Sequence, residues 1–502
     1  MSVALDFPRV EVQWDGRPIM EEDAGALEEV RVQRGLSLPA QCELTFFNPK
    51  GALANLAPSV IGSPLQVEVQ GQAQQLFVGE VTAVEYVHPP SGGLQVRVRG
   101  YDSLHRLRKR QHVRAHVQVT VLDLARELVQ DLGLSVEAAE PGPVWQRLIQ
   151  HHQSDLQLLQ ELAQRCGLFL TLRGNVLHLV TLEGLGETIP LRLGEALLEA
   201  RMEVNGDSSC RSVHASGWDP WRVERHEGQA SAPRVGRQVN IEEMMGGTGQ
   251  RTLTNQTAQN DLQAAVLAQA QLDAGVAREV TLWGVAQGDT RLLPGTRVEI
   301  EGVAEPFAGR YILTSVIHTV ERAKGFVSEI SSVPPRPPER ARAASVAWGV
   351  VTRVDDPEHL GRIRVSLPTH GDVETEWISV LATAAGSKGL VALPDVGDHV
   401  LLLFQGEDPG QALVIGGLYG AKAPADWGIE SGSVQRYSFL TPAGQKLGLD
   451  DSRRLVRLEN SDGSYVELSP DKVRLHSQVD LEIEAPGRSV VVRGKTVDFQ
   501  KA

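Results

Sequence analysis

The chain has 502 residues, of which 41% are hydrophobic and 5% aromatic, with 49 glycines, 27 prolines and a formal net charge of −14. This acidity argues against binding to a nucleic-acid backbone, which requires clustered Lys and Arg, and the apolar content excludes a largely disordered chain. Three widely spaced cysteines without a CxxC pair argue against a zinc or disulfide framework, and neither a signal peptide nor a membrane-spanning apolar run is expected.

The first part of the chain is predicted to combine many strands with a few helices. Alternating valines between glycine and proline turns predict strands up to about residue 110. Two capping boxes predict helices, one begun by Thr120 with Asp123 and one begun by Ser154 with Gln157. Further on, the turn after Arg173 predicts a hairpin. A Gln/Ala-rich helix is expected at 259–274, after a polar, Gly-rich loop at 228–256.

Two stretches of this first part resemble each other. Residues 62–87 and 293–320 each contain an alternating strand, a polar turn, a Phe-x-Gly motif and a second alternating strand. Such a repeat predicts two similar barrels per chain, so that three chains would present six similar units to a six-fold ring. The alternative is that two ordinary β-hairpins resemble each other by chance.

A Pro-rich linker at 332–345 is predicted to separate this part from a strand-rich block at 346–422. The block contains short β-runs separated by turn residues, which predict a small barrel or sandwich. The runs are GVVTRV, GRIRVSL, EWISVLA, LVALP, HVLLLF and ALVIGGLYG.

The last block, 423–502, shows strict alternation. Its predicted strands are LGL, LVRLE, YVELS, VRLHS, VDLEIEA, VVVRG and VDF. Valines and leucines occupy one face and charged residues the other, and the apolar face must be covered. No helix remains in the chain to cover it, so we expect other copies of the same segment to wind around a common axis. The alternative is an ordinary antiparallel sheet folded onto the preceding barrel.

The sequence contains only weak resemblances to motifs of catalysis or metal binding. Gly494-Lys495-Thr496 resembles the end of a P-loop, but a serine, Ser489, stands at the required first glycine. His151 and His152 are adjacent, and adjacent residues of a strand point to opposite faces, which argues against metal binding. There is no HExxH or GxSxG motif. The sequence therefore predicts no catalytic residue, no cofactor and no metal, although counting acidic residues leaves a glycosidase pair open.

The block at 346–422 resembles the OB-fold domain of phage baseplate spikes and VgrG proteins. The resemblance lies in its turns and in the stretches LGRIRV and IGGLY, with turn positions at Gly361, Pro394, Gly397, Asp408, Gly416 and Gly417. Upstream, GYDSLHRLRKRQ and the stretch 149–179 resemble the hub proteins called late-control D. The last block resembles the triple-stranded β-helix or β-prism needle of these spikes.

The resemblance implies a hub at 1–331 with two tube-like barrels, a linker at 332–345, an OB-fold barrel at 346–422 and a trimeric needle at 423–502. We call these the hub region, the linker, the OB region and the needle region. The fold class expected is mainly β with some helices in an α+β hub. DVETEW replaces the His- and Trp-bearing segment of type VI VgrG proteins. The gap from Gly420 to Val434 is too short for an inserted lysozyme. Both departures favour an extracellular contractile injection system.

The implied function is mechanical. A homotrimer would join the six-fold inner tube to a three-fold needle that pierces the target envelope, with inner tube and baseplate proteins as partners. Val497 and Phe499 would lie at the tip and bind a separate PAAR-type protein. The protein would assemble in the cytoplasm, act in a tail-like particle outside the cell, bind no nucleic acid and meet a membrane only on firing. The alternatives are a cell-wall hydrolase, a receptor-binding adhesin, and a type VI VgrG or phage tail hub variant.

Overall fold

The computed structural model describes residues 8–56, 58–90, 92–207, 209–219, 224–237, 249–322, 324–336, 344–384, 388–405, 408–420 and 423–500. These residues form two compact units, one reaching to Gly417 and one beginning at Leu418. Half of the predicted linker, residues 337–343, and the middle of the polar loop, residues 238–248, fall outside the described residues. Within the described part, no helix is long and apolar enough to span a membrane.

The hub region begins with a run of antiparallel strands and one short helix, α1 (Glu21–Ala24). Alternating apolar residues bury one side of these strands, among them Val30, Val32, Leu65 and Val67. The strands are β1 (Val10–Trp14), β2 (Arg17–Pro18), β3 (Leu27–Gly35), β4 (Leu38–Phe47), β5 (Pro64–Val69), β6 (Phe77–Val87) and β7 (Gln95–Tyr101).

A helical module follows, and both predicted capping boxes are confirmed. The Thr120 hydroxyl accepts from Asp123 N at 3.1 Å at the start of one helix, and the Ser154 hydroxyl accepts from Gln157 N at the start of the next. The predicted hairpin turn after Arg173 is also present. The elements are β8 (Arg114–Val119), α2 (Val121–Val129), β9 (Ser135–Ala138), β10 (Trp145–Gln150), α3 (Asp155–Arg165), β11 (Phe169–Arg173) and β12 (Val176–Val180).

The rest of the hub region returns to strands around one long helix. The predicted Gln/Ala-rich helix is α4 (Asp261–Val276), whose first turn is capped by Asn260, so it begins and ends two residues later than expected. The strands are β13 (Leu185–Arg192), β14 (Leu197–Val204), β15 (Ser212–Asp219), β16 (Glu224–Ala230), β17 (Gln250–Thr257), β18 (Val280–Gln287), β19 (Thr296–Glu301), β20 (Gly309–Ile312), β21 (Ser315–Glu321) and β22 (Gly325–Ser331).

The two similar stretches have equivalent neighbours in the sheets. The order β3-β4-β7-β6-β5-β1 on one side corresponds to β14-β18-β22-β21 with β20-β19-β13 on the other. The second copy differs because its long strand is interrupted between β20 and β21, and because β13 pairs with β19 in parallel whereas β1 and β5 are antiparallel. The shared strand order supports a duplication of one unit.

The expected closed barrels are not formed by the described strands of this chain. The two copies join edge to edge, since β21 pairs with β3 from Ser315↔Gly35 to Glu321↔Glu29, and an 11-stranded open sheet results. The edge of β3 that would close the first barrel is occupied by β21. The expectation of tube-like barrels is therefore corrected to open sheets, while the mainly-β class is confirmed.

In the OB region a five-stranded sheet surrounds a small core. The strands are β23 (Ser345–Arg353), β24 (Arg364–Leu367), β25 (Val373–Glu374), β26 (His399–Phe404) and β27 (Ala412–Leu418), in the order β25-β24-β23-β26-β27. Two predicted runs are not strands. EWISVLA makes only isolated bridges at Ile378 and Val380, and LVALP has no strand partner, with Val391 84% exposed. Nothing in the described chain offers LVALP a backbone to pair with.

The second unit is a meander of short strands. Its strands are β28 (Ile429–Glu430), β29 (Ser433–Val434), β30 (Arg436–Leu440), β31 (Lys446–Asp450), β32 (Leu455–Glu459), β33 (Tyr465–Leu468) and β34 (Val473–His476). The last five form one antiparallel sheet in sequence order. The predicted strands VDLEIEA, VVVRG and VDF are not formed, and residues 479–500, all of them described, contain no strand.

We predict that Thr120→Ala destabilises the start of α2. The variant loses the hydroxyl that accepts from Asp123 N, a change that typically costs about 1 kcal/mol. Amide exchange along α2 should become roughly fivefold faster, as measured by hydrogen exchange and mass spectrometry. Arg126→Ala, an exposed change in the same helix, is the control and should leave exchange almost unchanged.

Candidate functional site

The turn that opens the OB region is organised by one carboxylate. Asp356 accepts from the Arg362 guanidinium at 2.7 and 3.0 Å and from the backbone N–H groups of Glu358 and Leu360. Both Asp356 and Arg362 are buried. The Arg362 hydrogen bonds, strengthened by the backbone donors, hold the pKa of Asp356 far below its usual range. The DP and LGR stretches of the sequence are therefore two halves of one buried ion pair, with Gly361 at φ +72° between them.

The OB region connects to the hub through Arg147 on β10, which contacts the last residue of β25 and the segment that follows it. Its guanidinium donates to the backbone carbonyl of Glu374 and lies 3.0 Å from the carboxylate of Glu376. On the OB side, Arg364 contacts Glu374 at 3.2 Å and Glu376 at 3.0 Å. The ring of Trp377 packs under the Arg364 guanidinium. A partly buried network of alternating charges thus joins the hub region to the OB region.

The acidic residues of this junction, Glu374 and Glu376, come from the segment DVETEW. Thr375 between the two glutamates is buried and accepts from Val365 N at 3.1 Å, which fixes the strand direction. Burial opposes ionisation of Glu374, but hydrogen bonds from Thr352 and Arg364 outweigh it and lower its pKa. Sequence reasoning noted this segment only as a departure from a family pattern. The signal that it missed was the pair of acidic residues two positions apart, with Glu374 at the end of β25 and Glu376 just after it.

The predicted turn positions of the OB region are distributed over three places. Gly397, at φ +87°, donates to Val351 O at 2.9 Å just before β26 and follows the half-buried Pro394. Asp408 caps a short turn by accepting from Gly410 N at 2.9 Å, and this turn lies against the carbonyl of Arg147 in the hub. Gly416 and Gly417 lie near the end of β27, with open space beside Gly416 and the His399 carbonyl oxygen 3.8 Å from where a Cβ on Gly417 would lie. The structure does not bring these positions together into one site.

His151 and His152 require a correction. The sequence argument placed them in a strand with opposed side chains, but β10 ends at Gln150 and both histidines lie in the bend before α3. Because the bend turns the chain, the two rings lie on the same side, with centroids 4.4 Å apart. His370 of the OB region lies beside them, with its ring 5.4 Å from that of His151.

The five-stranded sheet of the second unit carries apolar side chains in two continuous cross-strand rows. One row runs Tyr437, Leu449, Val456, Leu468 and Val473, and the next runs Phe439, Leu447, Leu458, Val466 and Leu475. The alternation predicted from the sequence therefore places these leucines and valines on one face, as expected.

The opposite face of this sheet is charged and internally satisfied. Arg457 contacts Glu459 at 2.8 Å and Glu467 at 3.1 Å, and its guanidinium lies 3.9 Å from the centre of the Tyr465 ring. Nearer the start of the unit, hydrogen bonds from Arg436 and from the backbone of Gly428 lower the pKa of Asp426 to about 2. The charged face thus has its partners within the chain.

The side chains of the apolar face, by contrast, are exposed to solvent. Leu458 is 57% exposed and Val473 is 72% exposed, whereas the charged residues beside them are partly buried. Beyond β34, the apolar residues continue to be exposed as far as Phe499, at 95%, with Val497 at 49%. A soluble chain rarely leaves a contiguous apolar face of this kind in water, so the exposed rows mark an interaction surface.

Two family models match the chain. Residues 347–419 match the type VI secretion system/phage-baseplate injector OB domain. Residues 62–322, more than half of the chain, match the Alg8 N-terminal domain. The chain belongs to the Alg8 N-terminal domain family.

Several solved structures have a fold similar to that of this chain. The E. coli c3393 protein, described as a component of the type VI secretion system, matches with a TM-score of 0.56 at 14% identity, over 81% of this chain and 99% of that one. VgrG from a half-lidded Francisella PdpA–VgrG complex matches at 0.54 and 10% identity, over 94% and 88%. The 43 kDa tail protein of prophage MuSo2 from Shewanella oneidensis matches at 0.51 and 15%, over 65% and 98%.

At these identities the structural matches show the fold, which is VgrG-like. Residues 347–419 and the overall fold are therefore similar to those of type VI secretion VgrG and phage-baseplate proteins.

We predict that Asp356→Asn destabilises the OB region by about 3 kcal/mol, because the buried Arg362 loses its short contacts with Asp356 and retains Glu358, at 3.3 Å, as an anionic partner. The pKa of Asp356 is lower in the folded chain than in the unfolded chain. Its contribution is therefore complete above the unfolded value of about 3.9 and is lost as pH falls towards the folded value.

Calorimetric melting at pH 7 and pH 3 tests this prediction, and the gap between variant and parent should narrow at pH 3. The control is the neighbouring exposed change Asp355→Asn, which breaks only a surface contact with Arg353 and should have little effect. Equal losses in the two variants would contradict the assignment.

Proposed function

We propose that the chain is the central spike and hub of a contractile injection machine and that it works as a homotrimer. The observation that carries the proposal is the apolar face of the second unit, which this chain leaves exposed while its charged face is satisfied internally. Two further copies of the same segment have the matching apolar rows to cover it. Residues 479–500 form no strand alone and would gain strand partners in the same assembly.

Such an intertwined unit suits a needle. Three chains that share their backbone hydrogen bonds leave few free strand edges, and pulling one strand out requires breaking contacts with two neighbours. The alternating valines and leucines would form the dry axis and the Arg/Glu face would meet water. The unit would therefore remain stiff when the contracting sheath drives the inner tube outward.

The hub region would match the symmetry of the tube. The equivalent strand orders of its two copies support two similar units per chain, and hence six per trimer, against a six-fold ring of inner tube protein. The edges left open in the 11-stranded sheet would be available to neighbouring chains. Baseplate proteins are the further partners proposed.

The junction between the hub and OB regions would transmit force. Arg147, Glu376 and Arg364 hold one region to the other through charge-assisted hydrogen bonds, and Gly371 lies against Val113 across the same boundary. The OB region would then set the three-fold axis below the six-fold tube. A rigid connection at this point fits a part that is pushed from behind.

The particle proposed is an extracellular, tail-like injection system that assembles in the cytoplasm and meets a membrane only on firing. Val497 and Phe499, exposed near the end of the needle region, would receive a separate PAAR-type tip protein. A type VI VgrG or a phage tail hub remains the closest variant of this role.

The oligomer is tested by the mass of the purified chain, measured by light scattering behind a sizing column. We expect three times the mass of one chain, maintained in mild denaturant. A single-chain mass that persists after co-expression with hub partners would refute the trimer.

A matched pair of variants tests the apolar face. In the proposed trimer, Leu458→Gln removes about 2 kcal/mol of apolar burial free energy from each of the three chains. The variant trimer should therefore dissociate at a lower denaturant concentration than the parent. Arg457→Gln changes the neighbouring residue on the charged face and should leave the trimer intact. If Leu458→Gln dissociates no sooner than Arg457→Gln, the face is not the trimer contact.

Tip binding is tested by co-purification with the PAAR-type protein. Truncation after Ser469 should abolish binding, and Phe499→Ser should weaken it, whereas Asp498→Ser should not. Normal capping of the truncated spike would rule out the proposed tip. The rival cell-wall hydrolase is tested separately by a zymogram on peptidoglycan, in which lysis by the purified chain would favour the rival.

A further inference from the structure

Three histidines from distant parts of the sequence meet at the boundary between the hub and OB regions. His151 and His152 lie in the bend between β10 and α3, and His370 ends the short turn Pro368–His370 after β24. Their possible ligand nitrogens all lie within 4.8 Å of one another. The spike function proposed above does not use them.

The bend on the hub side is anchored at both ends. Gln150, which is fully buried, donates through its side-chain amide to Gln153 O at 3.0 Å and to the Asp155 carboxylate at 2.8 Å. These bonds close the chain around the two histidines and hold the bend against the first turn of α3. These hydrogen bonds therefore fix the position of the bend that carries the two imidazoles.

The OB side is held as firmly. After His370 the chain reverses through Gly371 and Asp372, which both have positive φ angles. A Cβ on Gly371 would lie 3.2 Å from Val113 of the hub, so the turn contacts the hub closely. The ring of Phe404 packs against the His370 ring at 5.5 Å and forms an apolar wall beside it.

The chemistry of the cluster suits a metal ion. His370 Nδ1 lies 3.0 Å from the Thr369 hydroxyl, which leaves Nε2 directed elsewhere, and such a hydrogen bond to the other ring nitrogen is the usual support of a histidine ligand. His152 is exposed, so an ion can enter from solvent.

We propose that His151, His152 and His370 form a zinc site that fastens the hub region to the OB region. Three imidazoles and one water make the tetrahedral set common for Zn²⁺, with nitrogens about 3.4 Å apart at Zn–N bonds of about 2.0–2.1 Å. The present separations of up to 4.8 Å exceed that spacing, so the rings would rotate towards one another on binding the ion. The ion would add a crosslink beside Arg147 where force passes from tube to needle. The sequence predicted no metal because it treated the first two histidines as strand residues.

Zinc binding to the full-length protein tests the site. After removal of metal with a chelator, titration with Zn²⁺ should give one equivalent per chain, and Co²⁺ should give the strong visible absorption of a tetrahedral complex. His152→Gln and His370→Gln should each weaken binding at least tenfold, a typical effect of losing one ligand. His88→Gln, an exposed histidine outside the cluster, is the control and should bind as the parent does.

Melting temperature provides a second readout. Zinc should raise it for the parent and for His88→Gln but not for the two cluster variants, whose metal-free melting should equal that of the parent and so exclude misfolding. The proposal is overturned if the parent takes up no zinc at micromolar concentrations, or if His370→Gln binds with unchanged stoichiometry and affinity.

Discussion

A sheet face made of leucine and valine must be taken out of water, and this constraint governs the organisation of the chain. In the first unit the alternating strands bury apolar side chains in several hydrophobic clusters of the same chain. In the second unit the same alternation continues, yet the side chains of the rows that contain Leu449 and Leu458 remain exposed in the described part of the chain. In the proposed trimer, other copies of the segment would cover them.

The charged face of the second unit explains why the apolar face, and not the charged one, is the face to be buried. Arg457, Glu459 and Glu467 bond one another and an aromatic ring, so this face is already satisfied towards water. Exchanging the faces would bury those charges and expose the leucines, which is unfavourable on both counts. In the needle proposed above, the alternation of each strand would place the apolar face inside and the charged face outside.

The junction near Arg147 has a different physical basis. Here the contact is made of charged groups that are only partly exposed, so each pair keeps most of its electrostatic attraction while its geometry is fixed by several hydrogen bonds. The histidine cluster lies at the same boundary and rests on the same scaffold of anchored turns. Rigid coupling of the hub and OB regions is thus distributed over contacts of two kinds.

The sequence by itself determined the local elements with strong signals and the alternation of the last block. The capping boxes at Thr120 and Ser154 formed as predicted, because a cap depends on residues only three positions apart. The apolar rows of the last block also followed directly, since side chains alternate along any strand.

Only the tertiary structure decided what depends on distant partners. The pairing of β21 with β3 leaves the expected barrels open, and LVALP and residues 479–500 form no strands. The fold also places Arg147 beside Glu376. It also brought His370 to His151, because a bend replaced the strand that the sequence suggested. A sequence records which residues can pair, but the choice of partner is made by the backbone path that joins them.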